Sequence, residues 1–238
     1  MRKLAIFDVD GTLVDSQALI LAAMAQGHAA AGLAMPARDR VLSIVGLSLP
    51  IACRRLHPEA PQAAVDALVQ GYKTAYAGLR ASGSGETAAP FFPGAEAALA
   101  RLDAAGWLLA IATGKARRGL VHMLNGHAMS DLFVATQTAD DAPSKPHPGM
   151  VLNVLAATGV AAHRAVMIGD TSFDIEMARA AGAGAVGVRW GYHPAEALVA
   201  AGAHSVIDRF DEVDAAVQAA LDAAAPAGGA PGAGLAAR

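Results

Sequence analysis

The chain has 238 residues, enough for one large or two modest domains. A net charge of −3 argues against a nucleic-acid footprint, and a single cysteine, Cys53, excludes an internal disulfide and suits a reducing compartment. No run reaches the roughly 18 consecutive apolar residues of a membrane span, and the apolar run behind Met1-Arg2-Lys3 breaks at Asp8, too early for a signal peptide. A cytoplasmic protein with a small-molecule partner, and with neither nucleic acid nor membrane as partner, is the expectation.

In chain order, residues 4–9 read as a first core strand. Residues 17–31 look helical and stop near Gly32, residues 48–56 form a short helix that Ser48 can cap with Pro50 in its first turn, and residues 61–80 form a longer helix. No strand is legible between 16 and 80. Ser82-Gly83-Ser84-Gly85-Glu86 has linker composition. From Pro93-Gly94 the chain alternates: helix 94–105, strand 107–112, helix 115–125, strand 132–135, helix 147–158, strand 165–168, helix 173–181 and strand 184–188, with a short edge strand at Val206-Ile207. That alternation predicts a parallel sheet covered on both faces. Residues 223–238, rich in Ala, Gly and Pro, are predicted to be disordered.

Leu4-Ala5-Ile6-Phe7 runs into Asp8-Val9-Asp10-Gly11, so an apolar strand ends in two carboxylates one residue apart. A divalent cation offsets such charge, because Mg²⁺ takes hard oxygen ligands and is often held by one or two carboxylates plus a substrate phosphate. A cap, or a hairpin turn at Asp10-Gly11, is the structural alternative. Two further apolar runs also end in polar clusters. Residues 108–112 lead into Thr113-Gly114-Lys115, and residues 165–168 lead into Gly169-Asp170 with Asp174 following. Ser144-Lys145-Pro146-His147-Pro148 lies between them. Ligands of open α/β sheets bind outside the carboxyl ends of the strands, so these clusters converge on one place.

With these four segments in order, the chain resembles the haloacid dehalogenase-like hydrolase superfamily, in its phosphoglycolate phosphatase-like branch. Residues 8–16 resemble the first motif of that family, Thr113 the second, Lys145 the third, and Gly169-Asp170 through Asp174 the fourth. The resemblance implies a Rossmann-like doubly wound parallel sheet core, residues 1–15 and 89–222, with an inserted all-helical cap domain at 16–88. It implies a Mg²⁺-dependent phosphatase of small phosphomonoesters, possibly 2-phosphoglycolate, acting on a small phosphorylated metabolite through an aspartyl-phosphate. A phosphomutase or pyrophosphatase on the same core, or a non-catalytic phosphate-binding protein, are the alternatives.

On that resemblance Asp8 is the nucleophile. Asp10 is acid and then base, and gives its backbone carbonyl to the metal. Thr113 and Gly114 donate to phosphate at a helix N-terminus, with a plain helix cap as the compatible alternative for Thr113. Lys145 places its charge on the phosphate and on Asp8. Asp170 is a direct metal ligand, completing a set with Asp8 and Asp10. Asp174, four residues on, acts behind it or through water, or satisfies the helix dipole. Candidate specificity residues are Ser48 in the turn at 46–48, Arg54 or Arg55 facing a second anionic group, and Arg189 at the mouth, each with a surface role as its alternative. The sequence leaves the oligomeric state open.

Overall fold

The computed structural model describes residues 2–82 and 89–224. Six strands, β1 (Lys3–Phe7), β2 (Trp107–Ala112), β3 (Ala135–Gln137), β4 (Ala165–Gly169), β5 (Gly184–Val188) and β6 (Ser205–Ile207), form one sheet in the order β3-β2-β1-β4-β5-β6. Every neighbouring pair is parallel. This is the doubly wound order in which the chain turns back at the first strand, and it opens a crevice at the carboxyl end of β1.

The strands read as continuous apolar runs because both faces are covered. Side chains alternate along β1: Phe7 packs with Leu99, Ile111 and Val217 on one face, while Leu4 and Ile6 pack with Met150, Met167 and Ile175 on the other. Helices α5 (Ala95–Ala104), α6 (Arg117–Gly126) and α10 (Val213–Ala224) contribute to the first layer. Helices α7 (Gly149–Thr158), α8 (Ser172–Ala180) and α9 (Ala195–Ala200) contribute to the second.

Between β1 and β2 lies an all-helical insert of α1 (Gln17–Ala31), α2 (Arg38–Leu42), α3 (Leu49–Leu56) and α4 (Gln62–Ser82). It has its own apolar core around Met24, Val41, Val45, Val65 and Leu68. Phe173 of α8 reaches into that core from the sheet-bearing part. Helices α1 and α4 cross closely at two glycines: a Cβ on Gly71 would lie 3.0 Å from the Gly27 Cα.

The expected helix over 17–31 and strand over 107–112 match α1 and β2. Three expectations shift. The strand placed at 132–135 begins at Ala135, because Ala135 to Gln137 pair with Ala110 to Ala112. Helix α6 starts at Arg117 rather than 115, because Ala116 is extended and the chain before it turns toward the site. Helix α7 starts at Gly149 rather than 147, since His147 N–H closes a turn on the Ser144 carbonyl. Helices α2 and α9 have five and six residues, too few for a helical period to show, and are not legible in the sequence. The C-terminal boundary also moves, since Ala223 and Ala224 belong to α10. Residues 83–86 of the glycine-bearing linker and the remainder of the tail lie outside the described residues.

Candidate active site

Asp8 follows the last residue of β1 and is 1% exposed. Its backbone N–H donates to the Ile168 carbonyl on β4, which fixes it at the strand crevice. The chain then closes a tight turn in which the Thr12, Leu13 and Val14 N–H groups all point at the Val9 carbonyl. Gly11 enables that turn with φ +85° and lies against the Asp170 carboxylate and the Tyr192 ring, where a side chain would collide.

Lys145, fully buried, reaches in from the loop before α7. Its Nζ lies 2.8 Å from Asp8 Oδ1 and 2.6 Å from Asp174 Oδ1. The approach to Asp8 is a close buried ion pair that Asp8 shares with Asp174. Asp174 is better satisfied. Its Oδ2 accepts from the Thr171 N–H and hydroxyl, forming a capping box at the start of α8. Asp170, at the end of β4, accepts from the Thr12 hydroxyl at 2.8 Å and the Tyr192 N–H at 2.9 Å. Carboxylate oxygens of Asp8, Asp170 and Asp174 lie within 4.8 Å of one another, so the three could hold a metal ion.

The electrostatics follow from burial. Desolvation pushes Asp8 up to about 6 against the pull of Lys145, with Asp174 pushing the same way as burial. Asp170 is raised well above the carboxylate range by burial and by its acidic neighbours. Burial opposes the charge on Lys145, but Asp174 and Asp8 outweigh it and hold the ammonium above its ordinary value.

The Asp10 carboxylate points elsewhere. Lys115 Nζ lies 2.7 and 2.8 Å from its two oxygens and 3.0 Å from the Tyr76 hydroxyl of α4. Thr113 is buried beside them, and its N–H donates to the Gln137 carbonyl at the end of β3. Gly114 packs directly beneath the Gly46 and Leu47 carbonyls of the insert, where a Cβ would collide, and Gly46 itself has φ +98°.

The carboxyl ends of β1, β2 and β4 thus bring five expected residues, Asp8, Asp10, Thr113, Asp170 and Asp174, together with Lys145. A family model described as haloacid dehalogenase-like hydrolase matches residues 5–188. The chain belongs to the haloacid dehalogenase-like hydrolase family. It is 35% identical over 225 residues to "Probable phosphatase IndB" of Dickeya dadantii, covering 93% of this chain and 96% of that one. It is 34% identical over 197 residues to a phosphoglycolate phosphatase of Agrobacterium fabrum, covering 81% and 82%. The crystal structure of a hydrolase from Pseudomonas syringae superposes with a TM-score of 0.79 at 26% identity, covering 90% and 97%.

This haloacid dehalogenase-like hydrolase has a cavity of about 420 Å³ between insert and sheet, lined by Asp8, Asp10, Thr113 and Gly114 on one side. Of the specificity candidates, Ser48 lines it; its N–H donates to the Ser144 hydroxyl, and its own hydroxyl makes no helix-cap bond. Arg54, Arg55 and Arg189 are not among the lining residues. The Arg54 guanidinium is spent on the carbonyls of His57, Pro58 and Ala60 and on Gln62, stapling the turn between α3 and α4. Arg55 lies over the Phe173 ring, and Arg189 pairs with Asp208 at the surface.

Sequence reasoning gave no role to Lys115, Tyr72, Tyr76 or Arg80, which line the cavity. A signal was present: Tyr72, Tyr76 and Arg80 recur every four residues and so share one stripe of α4. Thr12 lies within the 8–16 motif and Tyr192 three residues beyond Arg189 in the segment expected at the mouth, and the structure has both hold Asp170. The insert also bonds to the sheet-bearing part through Ser16 and Tyr192, 3.3 Å apart, and through His193, whose Nε2 donates to the Ser43 carbonyl while its Nδ1 accepts from Ser172.

Proposed function

We propose that the protein is a Mg²⁺-dependent phosphatase of small phosphomonoesters, working through an aspartyl-phosphate on Asp8. One observation carries this reading. Asp8 is a buried carboxylate that shares its cation, Lys145, with Asp174 and is clustered with two more buried carboxylates. Buried charges are ordinarily paired or bind metal, and an all-oxygen donor set suits a hard cation. Four acids against Lys145 and Lys115 also leave excess negative charge for a cation to balance. Asp8, Asp170 and the Asp10 main-chain oxygen would hold it, with Asp174 behind. When bound, Mg²⁺ offsets the repulsion between Asp8 and the phosphoryl group.

The chain's own groups do the rest. Asp8 attacks phosphorus, the bond to the leaving oxygen breaks, and Asp10 gives that oxygen a proton. Asp10 then takes a proton from water, whose oxygen attacks the aspartyl-phosphate, releasing phosphate and restoring Asp8. Thr113 and the Gly114 N–H orient the phosphoryl oxygens, and Lys145 supplies a fixed point charge. The helical insert acts as a cap that excludes water while the intermediate exists. Ser48 at the cavity wall is its specificity candidate from the sequence; Arg54, Arg55 and Arg189 are placed away from it.

Phosphate release from a panel of phosphate esters, with Mg²⁺ and with EDTA, tests the reading. Turnover that requires Mg²⁺ is expected. Turnover indifferent to EDTA would remove the metal from the proposal, and no turnover of any ester would remove the phosphatase.

A further inference from the structure

We propose that the substrate of this site is a phosphomonoester whose leaving alcohol is bulky and ring-bearing, an inference that rests on the phosphatase reading above. Its basis is the mismatch between the cavity and the smallest esters. The cavity of about 420 Å³ falls in the range, roughly 300–1,000 Å³, of sites that enclose ligands of drug size. A phosphoryl group on a two-carbon alcohol leaves much of that space to water. A site that must keep water from an aspartyl-phosphate is poorly served by such a substrate.

The wall away from the acids points the same way. Ile20, Met24, Ile44, Val45 and Leu47 line it, and each is buried. A carboxylate on the leaving group would be desolvated against these side chains. The lining cation beside Asp10, Lys115, is already matched by that acid and by Tyr76. Lys73 and Arg118 line the cavity but are exposed, so they meet solvent rather than the enclosed part of a ligand, and half-buried Arg80 lies one turn beyond Tyr76 on α4. Tyr72 and Tyr76 complete the wall with ring centroids 5.6 Å apart and planes tilted by 32°. Adjacent tyrosine rings present broad apolar faces with polar tips, which suit a planar group carrying hydrogen-bonding edges.

The experiment measures kcat/KM of the full chain with Mg²⁺ on alkyl esters of similar leaving-group reactivity. 2-Phosphoglycolate and glycerol 3-phosphate represent small alcohols, and nucleoside 5′-monophosphates represent ring-bearing ones. At least one ring-bearing ester is expected to exceed both small esters by about 10-fold or more. Ala77→Phe, on the cavity lining of α4 and outside the catalytic groups, should cut that ester by about 10-fold and leave glycerol 3-phosphate within about 3-fold. If 2-phosphoglycolate equals or exceeds every ring-bearing ester in the wild-type protein, the inference is overturned while the phosphatase stands. If no ester is hydrolysed, the phosphatase reading fails and takes the inference with it. The wild-type ranking decides the matter even if Ala77→Phe does not fold.

Discussion

Lys115 grips Asp10 with both carboxylate oxygens, at 2.7 and 2.8 Å, and at the same time donates to Tyr76 of the insert at 3.0 Å. The proposed acid–base group is therefore oriented by a residue that also senses the insert. Burial opposes the Lys115 charge, but Asp10 and Tyr76 more than restore it, so this ammonium stays protonated. Lys115→Met should lower kcat/KM by about 10- to 100-fold for every ester, since general acid–base catalysis contributes about 10²–10⁴-fold when correctly placed. The ranking of esters should not change. Steady-state kinetics on a small panel check both statements, and a loss confined to one ester would make Lys115 a substrate-binding group instead.

Asp8→Asn should abolish turnover, leaving under ~1% of wild type, because an amide is nearly isosteric but a poor nucleophile. The same change should leave the fold at least as stable. The wild-type carboxylate is pushed up to about 6 by burial, so its ionised form is disfavoured where it sits. Thermal unfolding of both proteins without metal at neutral pH tests this. A strongly lowered Tm would mean that Asp8 is a structural partner of Lys145 above all.

Asp170→Asn should weaken Mg²⁺ activation more than Asp174→Asn does. Each Asp170 oxygen accepts from a neutral donor, Thr12 or Tyr192, whereas Asp174 is bound by the Lys145 ammonium and twice by Thr171. Changes behind the direct ligands typically cost about 10–100-fold in metal affinity or activity, and a direct ligand should cost more. Titration of activity with Mg²⁺ measures the order, and the reverse order would exchange the two roles.

His28 and His57 should make the insert sensitive to acid. Their Nε2 atoms are 2.9 Å apart, and His28 Nδ1 lies 2.7 Å from the Met24 carbonyl. With His28 Nδ1–H donating to Met24, its Nε2 accepts from His57, an arrangement that tolerates no second proton between the rings. Burial, and then His28, lower the His57 value from 6.5. A histidine whose folded value is lowered binds protons more readily unfolded, so its contribution is intact above about 6.5 and falls as pH drops below it. Wild type should therefore lose more Tm than His57→Gln between pH 7.5 and 5.5. His193, also lowered by burial, is common to both proteins and cancels in the difference. Parallel curves would show that the pair carries no linkage.

The sequence alone determined the sheet-forming segments and the acids at their ends. Apolar runs of strand length followed by Asp8, Thr113 and Asp170 are local patterns, and a parallel sheet brings strand ends together whatever joins them. It also exposed the strandless insert, because helical periodicity survives in α3 and α4 and α1 is a long alanine-rich run of helix formers. Only the tertiary structure decided where the long cations go. Arg54 reads from sequence as a ligand for a substrate anion, yet it ties a turn through backbone carbonyls, which have no identity in a sequence. Lys115 reads as the residue after a phosphate-binding pair, yet it meets Asp10 across 105 positions and Tyr76 across 39. A flexible side chain can pair with whatever folding brings within reach, so its partner is a property of the assembled layers. The short elements α2 and α9 stayed hidden for a related reason: a helix of five or six residues is stabilised by the surface it covers rather than by its own propensity.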